Sequence, residues 1–86
     1  MYKIRLPVDL GNAIALHRRH NKLSAVAIAH KAGRSRTVLH NLERGQDVTV
    51  GSLFDILRAM GLCLRIEKAG MPTLEELQHR FFGEDE

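Results

Sequence analysis

The 86-residue sequence has one cysteine, no internal repeat and no long apolar run. A membrane-spanning helix needs about 18 or more apolar residues in succession, so we expect none. Because Cys63 has no second cysteine to pair with, an internal disulfide is excluded. Residues 1–11 also lack the apolar stretch of a secretory signal peptide. These absences indicate a cytoplasmic protein. A chain of this length forms about one small domain, and its core is so small that a second subunit would help to stabilise it.

The charge is distributed unevenly along the chain. The net charge is +3, yet residues 1–70 contain 12 basic and 5 acidic residues, whereas residues 71–86 contain one basic and five acidic residues. Between His17 and Arg44 a single acidic residue, Glu43, faces seven basic ones. They are Arg18, Arg19, Lys22, Lys31, Arg34, Arg36 and Arg44. Such a concentration is typical of a polyanion-binding surface, with an ordinary solvated basic face as the alternative.

Apolar residues at helical spacing predict four short helices. The first is expected over residues 10–20 with Asp9 as its N-cap, and the second begins after Ser24 and ends at Gly33. The third follows the cap Ser35 and ends near Gly45. The fourth begins at residue 49 or 52 and ends at Gly61. The core is expected to form from the apolar faces of these helices.

Two short strands are predicted at the ends of this helical block. Residues 2–6 alternate apolar and basic side chains up to Pro7. In residues 62–67, Leu62, Leu64 and Ile66 alternate with Cys63, Arg65 and Glu67. A two-stranded ribbon is marginal in water, so these strands are expected to pair with each other or with a second subunit. A capping box at Thr73 and Glu76 predicts a last amphipathic helix through about residue 82.

The second and third helices form a helix-turn-helix candidate around Gly33. Ala29 lies where close packing of the two helices leaves room for little more than a methyl group. Leu39 and Leu42 would hold the third helix to the body of the domain. The opposite side of that helix carries Arg36, Thr37, His40 and Asn41. These side chains can hydrogen-bond or contact the edges of bases in a DNA groove.

Residues 23–45, LSAVAIAHKAGRSRTVLHNLERG, resemble without a gap the helix-turn-helix of the Xre family, the Cro and phage-repressor class of DNA-binding proteins. The similarity covers residues 10–61, and LCLRIE after it resembles the closing strand of HipB-like antitoxins. The resemblance implies a mainly α, lambda-repressor-like domain of four to five helices with a short β-strand segment at the dimer interface. We therefore expect a DNA-binding domain with terminal strands in residues 1–70, and an amphipathic helix with an acidic tail in residues 71–86.

The resemblance also implies a role for individual residues. The residues expected to contact DNA bases are Arg36, Thr37, His40 and Asn41. The residues expected to contact phosphates are Lys22, Ser24, Arg34, Ser35 and Arg44. Arg18 and Glu43 are expected to form a structural ion pair. The chain departs from the family at two positions, because Ala25 replaces a frequent phosphate-binding glutamine and Arg34 replaces the usual valine of the turn. Arg34 either reaches the DNA backbone or lies in solvent.

Metal sites and catalytic sites are not indicated. His17 and His20 lie three residues apart, but no cysteine or carboxylate joins them at the spacing of zinc ligands. Ser35, His40 and Glu43 are close in sequence, yet they lie on one predicted helix without an oxyanion-binding group. We expect no enzymatic activity, no metal and no cofactor.

Together these features predict a homodimeric repressor, located in the cytoplasm with the nucleoid, that binds a palindromic double-stranded DNA operator. The alternative is an antitoxin that neutralises a co-encoded protein toxin and regulates its own operon. An acidic inhibitor protein that covers the basic surface is a third partner the sequence permits. The last predicted helix would either dock a toxin or pack on the dimer, through Leu74, Leu77, Phe81 and Phe82.

Overall fold

Four helices make up the regular structure of residues 3–70, the part of the chain that this computed structural model describes. They are α1 (Pro7–His20), α2 (Ala25–Ala32), α3 (Arg36–Glu43) and α4 (Val50–Ala59). Helix α2 packs against both α3 and α4, and α1 packs against α3. The predicted mainly helical fold is therefore confirmed. Among the described residues, no helix has the length and apolar character needed to cross a membrane.

Every helix contributes side chains to one apolar core. Ile14 of α1, Ile28 of α2, Leu39 of α3 and Ile56 of α4 are all buried there. Complete burial of a side chain of this size contributes about 1.5 to 3 kcal/mol. Because the same core holds all four helices, the orientation of α3 depends on the packing of the other three.

The N-caps predicted for α2 and α3 are confirmed. The Ser24 hydroxyl oxygen accepts a hydrogen bond from the Ala27 amide at 3.3 Å, and the Ser35 hydroxyl accepts one from the Val38 amide at 3.2 Å. Thr49 caps α4 in the same manner. Each cap satisfies an amide that has no partner within its helix.

Helix α1 begins earlier than expected, and the prediction that Asp9 is its N-cap is wrong. Leu6 is the N-cap and Pro7 is the first helical residue, where the missing amide is not needed and the fixed φ suits a helix. Asp9 lies within the first turn, and its Oδ2 accepts hydrogen bonds from the Arg5 and Leu6 amides, both at 3.2 Å. The helix dipole favours a carboxylate at this position.

The two predicted strands are not formed within the described residues. Residues 3–6 and 62–70 have no regular secondary structure, although Lys3 Nζ donates a hydrogen bond to the Lys68 carbonyl at 2.8 Å. A groove of about 540 Å³ lies between these two segments. Alternating segments form a stable ladder only when enough strands pair, and one chain supplies too few. The predicted helix over residues 73–82 lies outside the described residues.

Two glycines let α1 approach the C-terminal end of α3. A Cβ on Gly11 would lie 2.5 Å from the Leu42 carbonyl oxygen and 2.6 Å from that of Glu43. Gly45 has a φ of +79°, and a Cβ there would lie 2.7 Å from Val8 Cα. The obstacles are backbone atoms, which cannot rotate away. The distance between α1 and the end of α3 therefore depends on both glycines.

Candidate nucleic-acid interface

The turn between α2 and α3 is closed by backbone hydrogen bonds around Gly33. Gly33 adopts a left-handed conformation with φ of +72°. Its amide donates to the His30 carbonyl at 3.1 Å, and the Arg34 amide donates to the Ala29 carbonyl at 3.0 Å. These bonds satisfy carbonyl groups at the end of α2. They also fix the point from which α3 starts.

Helix α3 has one buried face and one exposed face. Leu39 is 1% exposed and Leu42 is 3% exposed, so both are held in the core. The exposed residues of α3 are Arg36, Thr37 and His40. Asn41 is half-buried at the edge of this face. The structure thus brings three of the four predicted base-contacting residues together on the surface and places the fourth beside them.

A groove of about 430 Å³ runs along the exposed face of α3. Ala25 at the start of α2 forms part of its wall, together with residues of α1 and α3. The other lining residues are Arg18, Arg36, Thr37, Leu39, His40 and Glu43. Because alanine stands where the similar family often has glutamine, this end of the groove carries only a methyl group. The polar groups that α3 contributes to the groove are those of Arg36, Thr37, His40 and Glu43.

Arg18 and Glu43 join α1 to the end of α3 through an ion pair with two hydrogen bonds. Arg18 Nε lies 2.6 Å from Glu43 Oε2, and Arg18 Nη2 lies 3.1 Å from Oε1. The side chains are 17% and 10% exposed, so water screens the pair only weakly. The hydrogen bond with Glu43 raises the pKa of Arg18. Arg18 Nη1 also donates to the Leu23 carbonyl at 3.2 Å, which ties the α1–α2 loop to the same pair.

The predicted phosphate-contacting residues lie around the two helix starts and in the adjoining loops. Ser24 and Ser35 use their hydroxyl oxygens as caps, and each hydroxyl hydrogen can still be donated outward. Lys22 is exposed and follows α1 with a left-handed φ of +55°, which is unusual for a residue other than glycine. These positions suit contacts that orient a protein on the DNA backbone.

Arg44 and His40 interact on the exposed side of α3. Arg44 Nη1 lies 3.1 Å from His40 Nε2. A guanidinium group can only donate hydrogen bonds, so this contact requires a neutral imidazole with its proton on Nδ1. Arg44 therefore influences which atom of His40 is available to donate to a base.

Arg34 occupies a position that the sequence did not reveal. Its Nε lies 2.9 Å from Asp55 Oδ2, and its Nη2 lies 2.7 Å from the same oxygen. The two alternatives considered for Arg34, contact with DNA or a solvated side chain, did not include this ion pair with α4. The partner is 21 residues away in sequence, and no local pattern connects the two positions.

The internal ion pairs reduce the number of basic side chains that are available to bind DNA. Of the seven basic residues between His17 and Arg44, Arg18 is bound to Glu43 and Arg34 is bound to Asp55. The positive surface around α3 is therefore smaller than the composition indicates. The other five basic residues of this stretch are exposed: Arg19, Lys22, Lys31, Arg36 and Arg44.

Two catalytic candidates, Glu43 and Ser35, and one metal-ligand candidate, His17, make structural contacts. Glu43 accepts hydrogen bonds from Arg18, and Ser35 caps α3. His17 contacts Asn21, whose amide nitrogen lies 2.8 Å from the His17 carbonyl oxygen. Within residues 3–70, no three potential metal ligands lie close enough together to hold an ion.

Several solved structures are similar to this chain. One of them is described as "Structure of HipA-HipB-O2-O3 complex". It has 29% identity to this chain and a TM-score of 0.73, and the match covers 79% of this chain and 97% of that one. HipB with an O4 20mer has 28% identity and a TM-score of 0.74, over 80% of this chain and 99% of HipB. An "MDT Protein" has the same identity, TM-score and coverage. No protein-family model and no curated protein matches the chain.

These similarities extend over nearly the full length of the HipB chains and over most of the described residues. The resemblance to HipB-like helix-turn-helix proteins that the sequence predicts is therefore confirmed. The shared region contains α2, the turn at Gly33 and α3.

Proposed function

We propose that this protein regulates transcription by binding specific double-stranded DNA sequences, most directly as a repressor. The observation that carries the proposal is the orientation of α3. Leu39 and Leu42 fix it in the core, while Arg36, Thr37 and His40 project from the opposite side. A helix held in this way can enter the major groove of DNA. The similarity to HipB chains solved with O2 and O4 20mers supports the same conclusion.

The exposed side chains suit direct recognition of bases. Arg36 can donate two hydrogen bonds to the O6 and N7 atoms of guanine, and Asn41 can pair with N6 and N7 of adenine. Thr37 can contact a thymine methyl group. His40 can donate a hydrogen bond to a base or a phosphate from a ring N–H group. A good bidentate contact contributes about 1 to 3 kcal/mol of discrimination against the wrong base.

The phosphate contacts would set the register of α3 in the groove. We assign them to Lys22, Ser24, Ser35 and Arg44, together with backbone amides at the helix starts. Each neutralised phosphate releases counterions, so these contacts make affinity fall as salt rises without selecting a sequence. Arg34 is not among them, because its guanidinium is bound to Asp55.

We propose that the regulator acts as a homodimer built from residues 1–70. Ile66 is 98% exposed, and Ile4 and Leu64 are also exposed beside the groove between the two chain ends. Pairing residues 3–6 and 62–70 with the same residues of a second copy would cover the apolar side chains and complete a small β-sheet. Two copies of α3 would then meet successive major grooves, which suits a palindromic operator.

A selection of bound duplexes from a random pool tests the proposal. We expect an inverted repeat whose half-sites lie about one helical turn apart. Arg36→Ala and Asn41→Ala are expected to relax the sequence preference, whereas Lys22→Ala is expected to weaken binding to all duplexes alike. Absence of any preferred sequence, or the same footprint change in all three variants, would contradict the assignment.

A second function, that of an antitoxin, is favoured by one observation. The neighbour solved with HipA shows that a HipB chain of this fold forms a complex containing another protein. The residues proposed for docking a toxin lie outside the described residues. Expression of a neighbouring gene with and without this protein is the test. Growth arrest by the neighbour alone, relieved by co-expression and by formation of a complex, would establish the antitoxin function.

A further inference from the structure

Asp55 of α4 lies between two arginines. Arg34 Nε donates a hydrogen bond to Asp55 Oδ2 at 2.9 Å, and Arg34 Nη2 lies 2.7 Å from the same oxygen in an ion pair. Arg58, one turn further along α4, donates from Nη2 to Oδ1. Both carboxylate oxygens are therefore occupied. This cluster joins α4 to the turn that precedes α3.

Arg34 is held from both its main chain and its side chain. Its amide donates to the Ala29 carbonyl at the end of α2, while its guanidinium binds Asp55. The guanidinium lies over the surface of α4, because a Cβ on Gly51 would be 3.8 Å from Arg34 Nη2. The side chain thus extends toward α4. Its position is fixed by three elements: α2, the turn and α4.

The position of Arg34 matters because α3 starts immediately after it. Ser35 is the cap and Arg36 is the first helical residue. The C-terminal half of α3 is fixed by buried Leu39 and Leu42, whereas Arg36 and Thr37 are exposed and make no comparable contact with the core. A displacement of the turn would therefore move the first turn of α3 more than the rest.

We propose that Asp55 is a positioning residue for base recognition, which acts through Arg34 to fix the first turn of α3 and thereby the placement of Arg36 and Thr37. The inference rests on the proposed DNA-binding function. It adds a specificity determinant on α4, outside the helix-turn-helix. It also gives Arg34 a role other than a phosphate contact.

The competing explanation is that Arg34 leaves Asp55 and binds a phosphate when DNA is present. In that case Asp55 restrains a DNA-binding cation, and its removal strengthens binding to every duplex. If Asp55 positions α3, its removal instead weakens binding only to the preferred sequence. The direction of the arginine toward α4 and its two contacts with one oxygen favour the positioning role.

The decisive variant is Asp55→Asn, which keeps the shape of the side chain and removes its charge. Affinity is measured for the selected duplex and for a scrambled duplex over a series of salt concentrations. We expect the affinity for the selected duplex to fall about fivefold, which is comparable to the loss of a weak base contact. The affinity for the scrambled duplex and the salt dependence of binding should not change. The loss should concentrate at the base pairs facing Arg36 and Thr37.

Asp47→Asn is the matched control. Asp47 is an exposed carboxylate in the loop between α3 and α4, so the control changes the net charge by the same amount. It is expected to leave the ratio of the two affinities unchanged. If Asp47→Asn lowers the ratio as much as Asp55→Asn does, the effect is one of net charge and the proposal fails.

A double-mutant cycle with Arg34→Ala gives a second test. Positioning through Arg34 predicts that the double variant Arg34→Ala, Asp55→Asn loses no more specificity than either single variant. Arg34→Lys keeps the charge but cannot reproduce the two-nitrogen contact, and it should lose specificity without losing affinity for the scrambled duplex. Melting curves establish that each variant is folded at the temperature of the binding assay.

Two outcomes would overturn the proposal. One is a gain in affinity for both duplexes in Asp55→Asn, and the other is an unchanged affinity ratio in that folded variant. Failure of the underlying function would look different, because the unmodified protein itself would then show no preference between the duplexes.

Discussion

At the scale of single residues, the Arg18–Glu43 pair is expected to stabilise the domain more than a surface ion pair does. Glu43→Gln leaves the Arg18 guanidinium mostly buried without a charged partner. We expect the free energy of unfolding to fall by about 2 to 3 kcal/mol, measured by urea denaturation. Asp47→Asn, at an exposed carboxylate of the loop between α3 and α4, is the control and should change it little. Equal effects of the two substitutions would argue against a structural role for the pair.

Lys22 allows stability and DNA affinity to be separated. Glycine has no penalty at the left-handed φ of this position, so Lys22→Gly is expected to raise the free energy of unfolding by up to about 1 kcal/mol. The same change removes the proposed phosphate contact and should reduce the salt slope of DNA binding by about 1. Lys22→Ala should weaken binding equally without the gain in stability. An unchanged salt slope in both variants would contradict the phosphate contact.

Asp55 predicts a pH dependence of stability. The hydrogen bond from Arg34 lowers the pKa of Asp55 below its usual value. A carboxyl group with a lowered pKa in the folded state stabilises the protein above its unfolded pKa of about 3.9, and the stabilisation is lost as the pH falls through the folded value. The unfolding free energies of the unmodified protein and Asp55→Asn should therefore differ at neutral pH and converge in acid. A difference that is constant with pH would argue against the ion pair.

At the scale of helices, the contact between α1 and α3 depends on Gly11. Gly11→Ala places a methyl carbon against the carbonyl groups of Leu42 and Glu43, so the helices must separate. We expect a loss of about 1 to 3 kcal/mol in urea denaturation, together with weaker binding to the selected duplex. Asn12→Ala, at the next and exposed position of α1, is the control. A Gly11→Ala variant as stable as this control would show that α1 can shift without cost.

The helices could be predicted from the sequence because their signals are local. Ser24 and Ser35 precede apolar residues at helical spacing, and Gly33 follows the end of one such pattern. The start of α1 was misplaced because Pro7 was interpreted as the end of a strand when it begins a helix. Both interpretations are compatible with the fixed φ of proline, and only the neighbouring structure decides between them.

The remaining features depend on contacts between distant residues. The partner of Arg34 lies on α4, and nothing in the spacing of Arg34 and Asp55 indicates their contact. The importance of Gly11 depends on how closely two helices cross, which one sequence does not reveal. The Arg18–Glu43 pair is equally distant but was expected, because the resemblance to a known family supplied it.

At the scale of the whole molecule, the exposed apolar side chains of residues 3–6 and 62–70 predict dimerisation. Ile66→Lys introduces a charge at the proposed contact between two copies, and we expect sedimentation analysis to give half the mass of the unmodified protein. Leu16→Lys, at an α1 leucine that is 68% exposed, should leave the mass unchanged. The same mass for the unmodified protein and the Ile66→Lys variant would contradict a dimer contact at residues 62–70.

Two arginines near α3 form ion pairs within the protein, with Glu43 and Asp55. Because they are bound there, they contribute little to the affinity for unrelated DNA. Fewer displaced counterions mean a shallower decline of binding with ionic strength. We therefore expect brief stays on arbitrary genomic sequence and frequent release into solution. Long residence would be confined to sites where the bases themselves match the reading helix.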